Sequence, residues 1–214
     1  PIPSGKVNKN QALIFGIVLS IFSVVALNYF ANTISSILLL FTILFYVFVY
    51  TIWLKRKTPQ NIVIGGAAGA FPPVIGWSIV TNSISLEPLS FFLIIFFWTP
   101  SHFWALSLYK SNDYKKAKIP MLPVTNGIEK TKLNIFIYSL LMIPTIAFPY
   151  TIDFVGIIFL VPAMLLTFYY NFLCYELFSY KKDKFSPKKA NSIFSYSILY
   201  LFLLFVLFLV DKIL

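Results

Sequence analysis

One histidine and one loop carboxylate are the residues of this chain best suited to chemistry. His102 is the only histidine among 214 residues, and it lies in an apolar run that ends near Tyr109. Asp113 follows among lysines, in the stretch KSNDYKKAKIPMLP. A neutral imidazole in such a run can hydrogen-bond inside a bundle, ligate a haem iron or act as a base. A carboxylate beside lysines can take Mg²⁺, which prefers one or two carboxylates together with phosphate oxygens. The plain alternatives are a structural histidine and a solvated basic loop with one compensating acid. Tyr109 and Asp113 follow His102 at offsets of seven and eleven, which would put all three near one face of a continuing helix. Pro120 and Pro123 predict that the rest of the loop, up to 132, is stiff and non-helical.

A second set lies in KRKTPQNIVIGGAAGAFPPVIGW, 55–77. Lys55, Arg56 and Lys57 could meet an anion, and Asn61 stands where the next apolar run begins. Gly65, Gly66, Ala67, Ala68, Gly69 and Ala70 make a helix surface almost without side chains. Such a surface lets helices approach closely and can also leave room for a flat or long apolar substrate. Pro72 and Pro73 predict a kink. Trp104 suits an aromatic belt at the membrane interface. Asn171, Glu176 and Asn191 read as polar groups at helix ends. There is no phosphate-binding Walker loop and no dinucleotide fingerprint. Cys174 stands alone, which excludes an internal disulfide and leaves it as apolar filler.

These residues must be positioned by membrane helices. The chain is 59% hydrophobic and 11% charged, with a mean hydropathy of +0.84; soluble domains carry about 25% charged residues. Seven runs reach the roughly 20 residues that a spanning helix needs: about 11–31, 34–54, 61–81, 88–109, 133–151, 154–174 and 192–211. The fold class is therefore an all-α polytopic bundle in a lipid bilayer. Sixteen of the 17 Lys and Arg residues fall at one end of these spans: Lys6 and Lys9, Lys55 to Lys57, six lysines from Lys110 to Lys132, and five from Lys181 to Lys189. The positive-inside rule makes that end cytoplasmic, in the cell inner membrane. The net charge of +10 thus reports topology and anionic lipid contact, not nucleic acid.

Three motifs carry a resemblance. NIVIGGAAGAFPPVIGW (61–77), WTPSHFWALSLY (98–109) and DYKKAKIPMLPV (113–124) resemble the protohaem IX farnesyltransferases, membrane prenyltransferases of the UbiA superfamily. LKRKTPQ before Asn61 and PSGKV at the start extend the likeness over essentially the whole chain. It implies a single prenyltransferase domain, residues 1–214, with seven of nine bundle helices around a cavity open to the cytoplasm. It further implies that the first two helices and a first Asp-rich motif, which the family uses for Mg²⁺ and diphosphate binding, precede Pro1. Ser101 stands where the family usually has a second Pro, and Lys118 where it usually has Gly.

The implied reaction joins the farnesyl group of farnesyl diphosphate to a vinyl group of protohaem IX (haem B), giving haem O. Mg²⁺ is the implied cofactor, haem B a substrate, and a downstream haem A synthase an expected partner. Asp113 is then the metal residue, with Tyr109 and Asn61 positioning the diphosphate. Lys55, Arg56 and Lys116 contact that diphosphate, and His102 meets the haem. The other readings are a UbiA-type enzyme acting on an aromatic quinone precursor, a transporter, and a non-catalytic haem-handling protein. The four residues after Asp113 hold no second acid, unlike the quinone-pathway enzymes.

Overall fold

A computed structural model describes residues 2, 4–180 and 186–214. Lys181, Lys182 and Lys184 of the last basic cluster, and Pro3 of PSGKV, lie outside the described residues. Among the described residues, ten α-helices and one π-helical segment form an all-α bundle: α1 (Lys9–Phe30), α2 (Thr33–Leu44), the π segment (Phe45–Leu54), α3 (Asn61–Ala70), α4 (Pro72–Thr81), α5 (Glu87–Tyr109), α6 (Ser111–Lys116), α7 (Leu122–Thr125), α8 (Gly127–Thr151), α9 (Ile157–Ser179) and α10 (Pro187–Ile213). Among the described residues, seven stretches are long and apolar enough to cross a membrane. They match the seven expected from hydropathy. The protein is a multi-pass membrane protein.

Helix ends and breaks follow local chemistry. Asn8 caps α1 by accepting from Asn10 N at 2.9 Å. Asn32 caps α2 by accepting from Ser35 N at 2.9 Å, and its amide donates to Ser78 O at 2.7 Å, tying α2 to α4. The expected kink falls at Phe71, between α3 and α4, where Pro72 and Pro73 cannot donate to the preceding turn. Pro100 interrupts the hydrogen bonding of α5, and its neighbours Thr99 and Ser101 turn their hydroxyls onto Ile95 O (2.6 Å) and Trp98 O (3.0 Å). From α10, Asp211 reaches across to cap α9, accepting from Gly156 N and Phe159 N, each at 3.0 Å.

Four helices make the core. α5 packs against α8 and α10, and α9 closes the group against α8 and α10. Ile94, Ile135, Phe159, Tyr170, Tyr200 and Leu204 are fully buried there. Polar links cross it: Tyr170 donates to Ser101 Oγ (2.8 Å), Thr167 and Tyr200 share a hydrogen bond (2.9 Å), and Ser139 donates to Asn171 Oδ1 (3.1 Å). α3 and α4 lean on α5, whereas α1 packs on α2 and buries no residue.

Several expectations change. Trp104 is no belt residue; it is fully buried and packs edge-on against Tyr138. Asn171 lies inside α9, bonded to Ser139 and to Thr167 O, not at a helix end. The linker after α5 is not an irregular loop, since α6 and α7 form within it and Pro123 sits in the first turn of α7, where a proline needs no N–H. Lys132 belongs to α8 and is buried, donating to Glu129 Oε1 and Tyr180 O at 2.9 Å each. Cys174 is fully buried, as expected of apolar filler.

Candidate active site

A cavity of about 290 Å³ opens between the π segment, α3 and α5. Tyr46 and Tyr50, Ile62, Gly65, Gly66 and Gly69, and Ile95, Trp98, Thr99 and Phe103 line it. The glycines make it possible in two ways. A Cβ on Gly65 would run into the Tyr50 ring, and one on Gly66 would come within 3.0 Å of Thr99 Cγ2, so both permit close packing. Gly69 meets nothing within 4 Å and leaves open space. The small-residue face thus serves helix approach at one end and room at the other. The π segment turns Tyr46 and Tyr50 into this wall, with Thr51 Oγ1 donating to Tyr46 O (2.9 Å) and Lys55 N to Tyr50 O (2.8 Å). π-helical turns cluster at functional sites. The sequence reading missed this segment, because nothing in an apolar aromatic run distinguishes a π from an α turn.

Asn61 is 1% exposed at the start of α3, and its Nδ2 donates to Lys55 O at 3.0 Å. That bond folds the Lys55–Lys57 loop back onto α3. The Lys55 ammonium lies 5.9 Å from the centre of the Tyr50 ring, placing a cation beside the cavity wall. Arg56 is exposed, and neither it nor Lys116 makes an ion pair among the described residues.

The loop carboxylate stands apart. α5 stops at Tyr109 and α6 starts afresh at Ser111, so His102, Tyr109 and Asp113 do not share one helix face. Asp113 is 66% exposed and only loosely paired with Lys110, at 3.9 Å. With Tyr109, Lys110, Asn112 and Pro187 it borders a second, open hollow of about 390 Å³. Tyr114, next in sequence, is half-buried, and its phenol is pushed above its usual value by that burial and by the neighbouring Asp113 charge. The Tyr46 and Tyr50 rings lie 5.2 Å apart between centroids along the cavity wall.

Among the described residues, no group of three His, Cys, Asp or Glu side chains could hold a metal by itself. One exposed, weakly paired carboxylate fits Mg²⁺ only where phosphate oxygens complete the ligand set.

His102 is 7% exposed, at the contact of α5 with α10. Its ring is stacked between Trp98 (4.2 Å between centroids) and Phe194 (4.7 Å). Its Nδ1 lies 2.7 Å from Ser197 Oγ. Trp98, which lines the cavity, donates its Nε1–H to Ser197 O at 2.9 Å. Ser101 accepts from Tyr170 while donating to Trp98 O, bonds that a proline at this position could not make.

The model of the UbiA prenyltransferase family matches residues 1–198. The chain belongs to the UbiA prenyltransferase family. Among curated relatives, this UbiA-family chain is 79% identical over its full length to the protohaem IX farnesyltransferase of Pelagibacter ubique, covering 71% of that protein. It is 49% identical over its full length to the protohaem IX farnesyltransferase of Parvibaculum lavamentivorans, covering 67% of it. A solved structure from work on digeranylgeranylglyceryl phosphate synthase in membranes superposes with a TM-score of 0.80 over 99% of this chain and 72% of that one. At 20% identity that likeness shows the fold alone.

Proposed function

We propose that this protein transfers the farnesyl group of farnesyl diphosphate to a vinyl group of protohaem IX, giving haem O. The observation that carries this reading is the 79% identity, over every residue of the chain, to a protein named for that reaction. In the transfer the C1–O bond of farnesyl diphosphate breaks and C1 bonds to the terminal vinyl carbon. A water hydroxyl adds to the adjacent carbon, diphosphate leaves and a proton is released.

Asp113 would hold Mg²⁺ together with the diphosphate oxygens. When bound, the ion supplies positive charge against the departing diphosphate. Lys55, Arg56 and Lys116 add cationic charge at the same group. Asn61 acts through the loop: one N–H of its Nδ2 donates to Lys55 O and holds the Lys55 backbone in place. The raised Tyr114 phenol stays protonated and, with Tyr109, can donate to a phosphate oxygen. The cavity between the π segment, α3 and α5 takes the isoprenoid chain or one edge of the porphyrin; about 290 Å³ is too small for both. Its aromatic walls keep water from the allylic carbon until the new bond forms. His102 meets the haem through Nε2, the one ring nitrogen without a hydrogen bond among the described residues.

The basic ends of the helices face the cytoplasm in this reading, across the inner membrane. A haem A synthase would take the product onward. Incubating membranes that contain the protein with haem B and farnesyl diphosphate tests the reading by mass spectrometry. Haem O is expected. Prenylation of an aromatic quinone precursor instead, or no product from either acceptor, would overturn it.

A further inference from the structure

Ser197, on α10, makes two short contacts with one hydroxyl. Its Oγ lies 2.6 Å from Phe194 O and 2.7 Å from His102 Nδ1. A serine has a single hydroxyl proton. Spent on Nδ1, it would leave the serine oxygen and the Phe194 carbonyl facing each other lone pair to lone pair at 2.6 Å. Spent on Phe194 O, it leaves a serine lone pair for an Nδ1–H donor. Only the second arrangement makes both contacts hydrogen bonds. In a site where His102 is 7% exposed, an unmade bond has no water to replace it. The imidazole is then protonated on Nδ1 and carries its free lone pair on Nε2.

We propose that Ser197 is a positioning residue that fixes His102 as the Nδ1–H tautomer and so presents a bare Nε2 to the substrate. Three features act together. The hydroxyl selects the tautomer, and the rings of Trp98 and Phe194 hold the imidazole plane from both sides. The Ser197 carbonyl accepts from Trp98 Nε1, so one residue of α10 orients both the histidine and the cavity wall beside it. Histidines that ligate metals are usually oriented this way, through a hydrogen bond from the other ring nitrogen. The chemistry recognised by a bare Nε2 is a Lewis-acidic centre, and the haem iron is the one supplied by the reaction proposed above, on which this inference rests.

Because the chain has one histidine, ¹⁵N-histidine labelling of the full chain in bilayers reports a single imidazole. The expected spectrum shows a protonated Nδ1 and an unprotonated Nε2 in the absence of haem. Ser197→Ala should release this preference and give a mixture or the reversed tautomer, while Ser197→Thr, which keeps the hydroxyl, should restore it. A protonated Nε2 in the parent protein, or an unchanged tautomer in Ser197→Ala, would overturn the proposal. Zinc protoporphyrin IX, a diamagnetic Lewis-acidic analogue, then probes the contact. Binding should shift the Nε2 resonance of the parent and weaken about tenfold or more in Ser197→Ala. A bare Nε2 that ignores the porphyrin would leave the tautomer assignment standing and remove the haem contact from the function proposed above.

Discussion

His102 and Asp113 are eleven residues apart in sequence and sit in opposite surroundings. The histidine is clamped: 7% exposed, stacked on both faces and bonded to a serine 95 residues away. The aspartate is 66% exposed on a six-residue helix, with one loose ion pair. In the proposed function, one end of the site is thus built before any substrate arrives, and the other is charge held ready for a diphosphate to complete. A rigid apolar frame suits a planar substrate, because orientation is what it must supply. A mobile anion with its counter-ion gains more from charges free to adjust around it.

Asp113→Asn breaks the comparison most sharply. The substitution keeps the shape and removes the charge, so haem O formation should fall about a hundredfold or more. Thermal stability should barely change, since an exposed pair at 3.9 Å contributes about 1 kcal/mol or less. Haem O measured by mass alongside a melting curve reads both. Normal product yield would remove Asp113 from the chemistry; a large drop in melting temperature would show that α6 depends on it.

Lys132→Ala should show the reverse pattern. Lys132 is 1% exposed and bonds Glu129 Oε1 and Tyr180 O, joining the start of α8 to the end of α9. Losing it removes the partner of the part-buried Tyr180 carbonyl and of the half-exposed Glu129 carboxylate, at a cost of about 1–3 kcal/mol. The melt should move down and the product per folded molecule should stay close to that of the parent. An unchanged melt would mean that water satisfies Tyr180 O without the lysine.

The spans were legible because a helix must be apolar for about 20 residues to cross lipid, and the lysine pattern agreed with their number. The Pro72–Pro73 break was legible too, since proline acts locally. Burial was not. Hydropathy alone cannot separate the face of α1, which buries nothing, from that of α5, which buries His102 and Trp104. Lys132 read as a loop charge because its partner Tyr180 is 48 residues on. Ser197 gave no signal at all, being a small polar residue in an apolar run whose meaning comes entirely from α5.

Gly69→Leu sharpens the comparison from the cavity side. A Cβ on Gly69 meets nothing within 4 Å, so a side chain there starts out into the cavity space. Stability should hold and transfer should drop about tenfold, with substrate misplaced more than excluded. Saturation kinetics in both substrates would show which one uses this wall. An unaffected enzyme would move the isoprenoid and the porphyrin elsewhere.

The smallest effect belongs to Lys118. Its φ of 54° lies in the left-handed region, which disfavours a residue with a Cβ by about 1–2 kcal/mol, and the resemblance puts glycine at this position. Part of that strain is offset because glycine has more freedom to lose on folding. Lys118→Gly should therefore stabilise the α6–α7 turn by less than about 1 kcal/mol. It also takes one cation from the loop that carries Asp113. If charge gathered at the open end of the site is what the loop supplies, the KM for farnesyl diphosphate should rise modestly while kcat stays level. A fall in kcat with KM unchanged would mean that the turn itself, not its charge, sets where Asp113 stands.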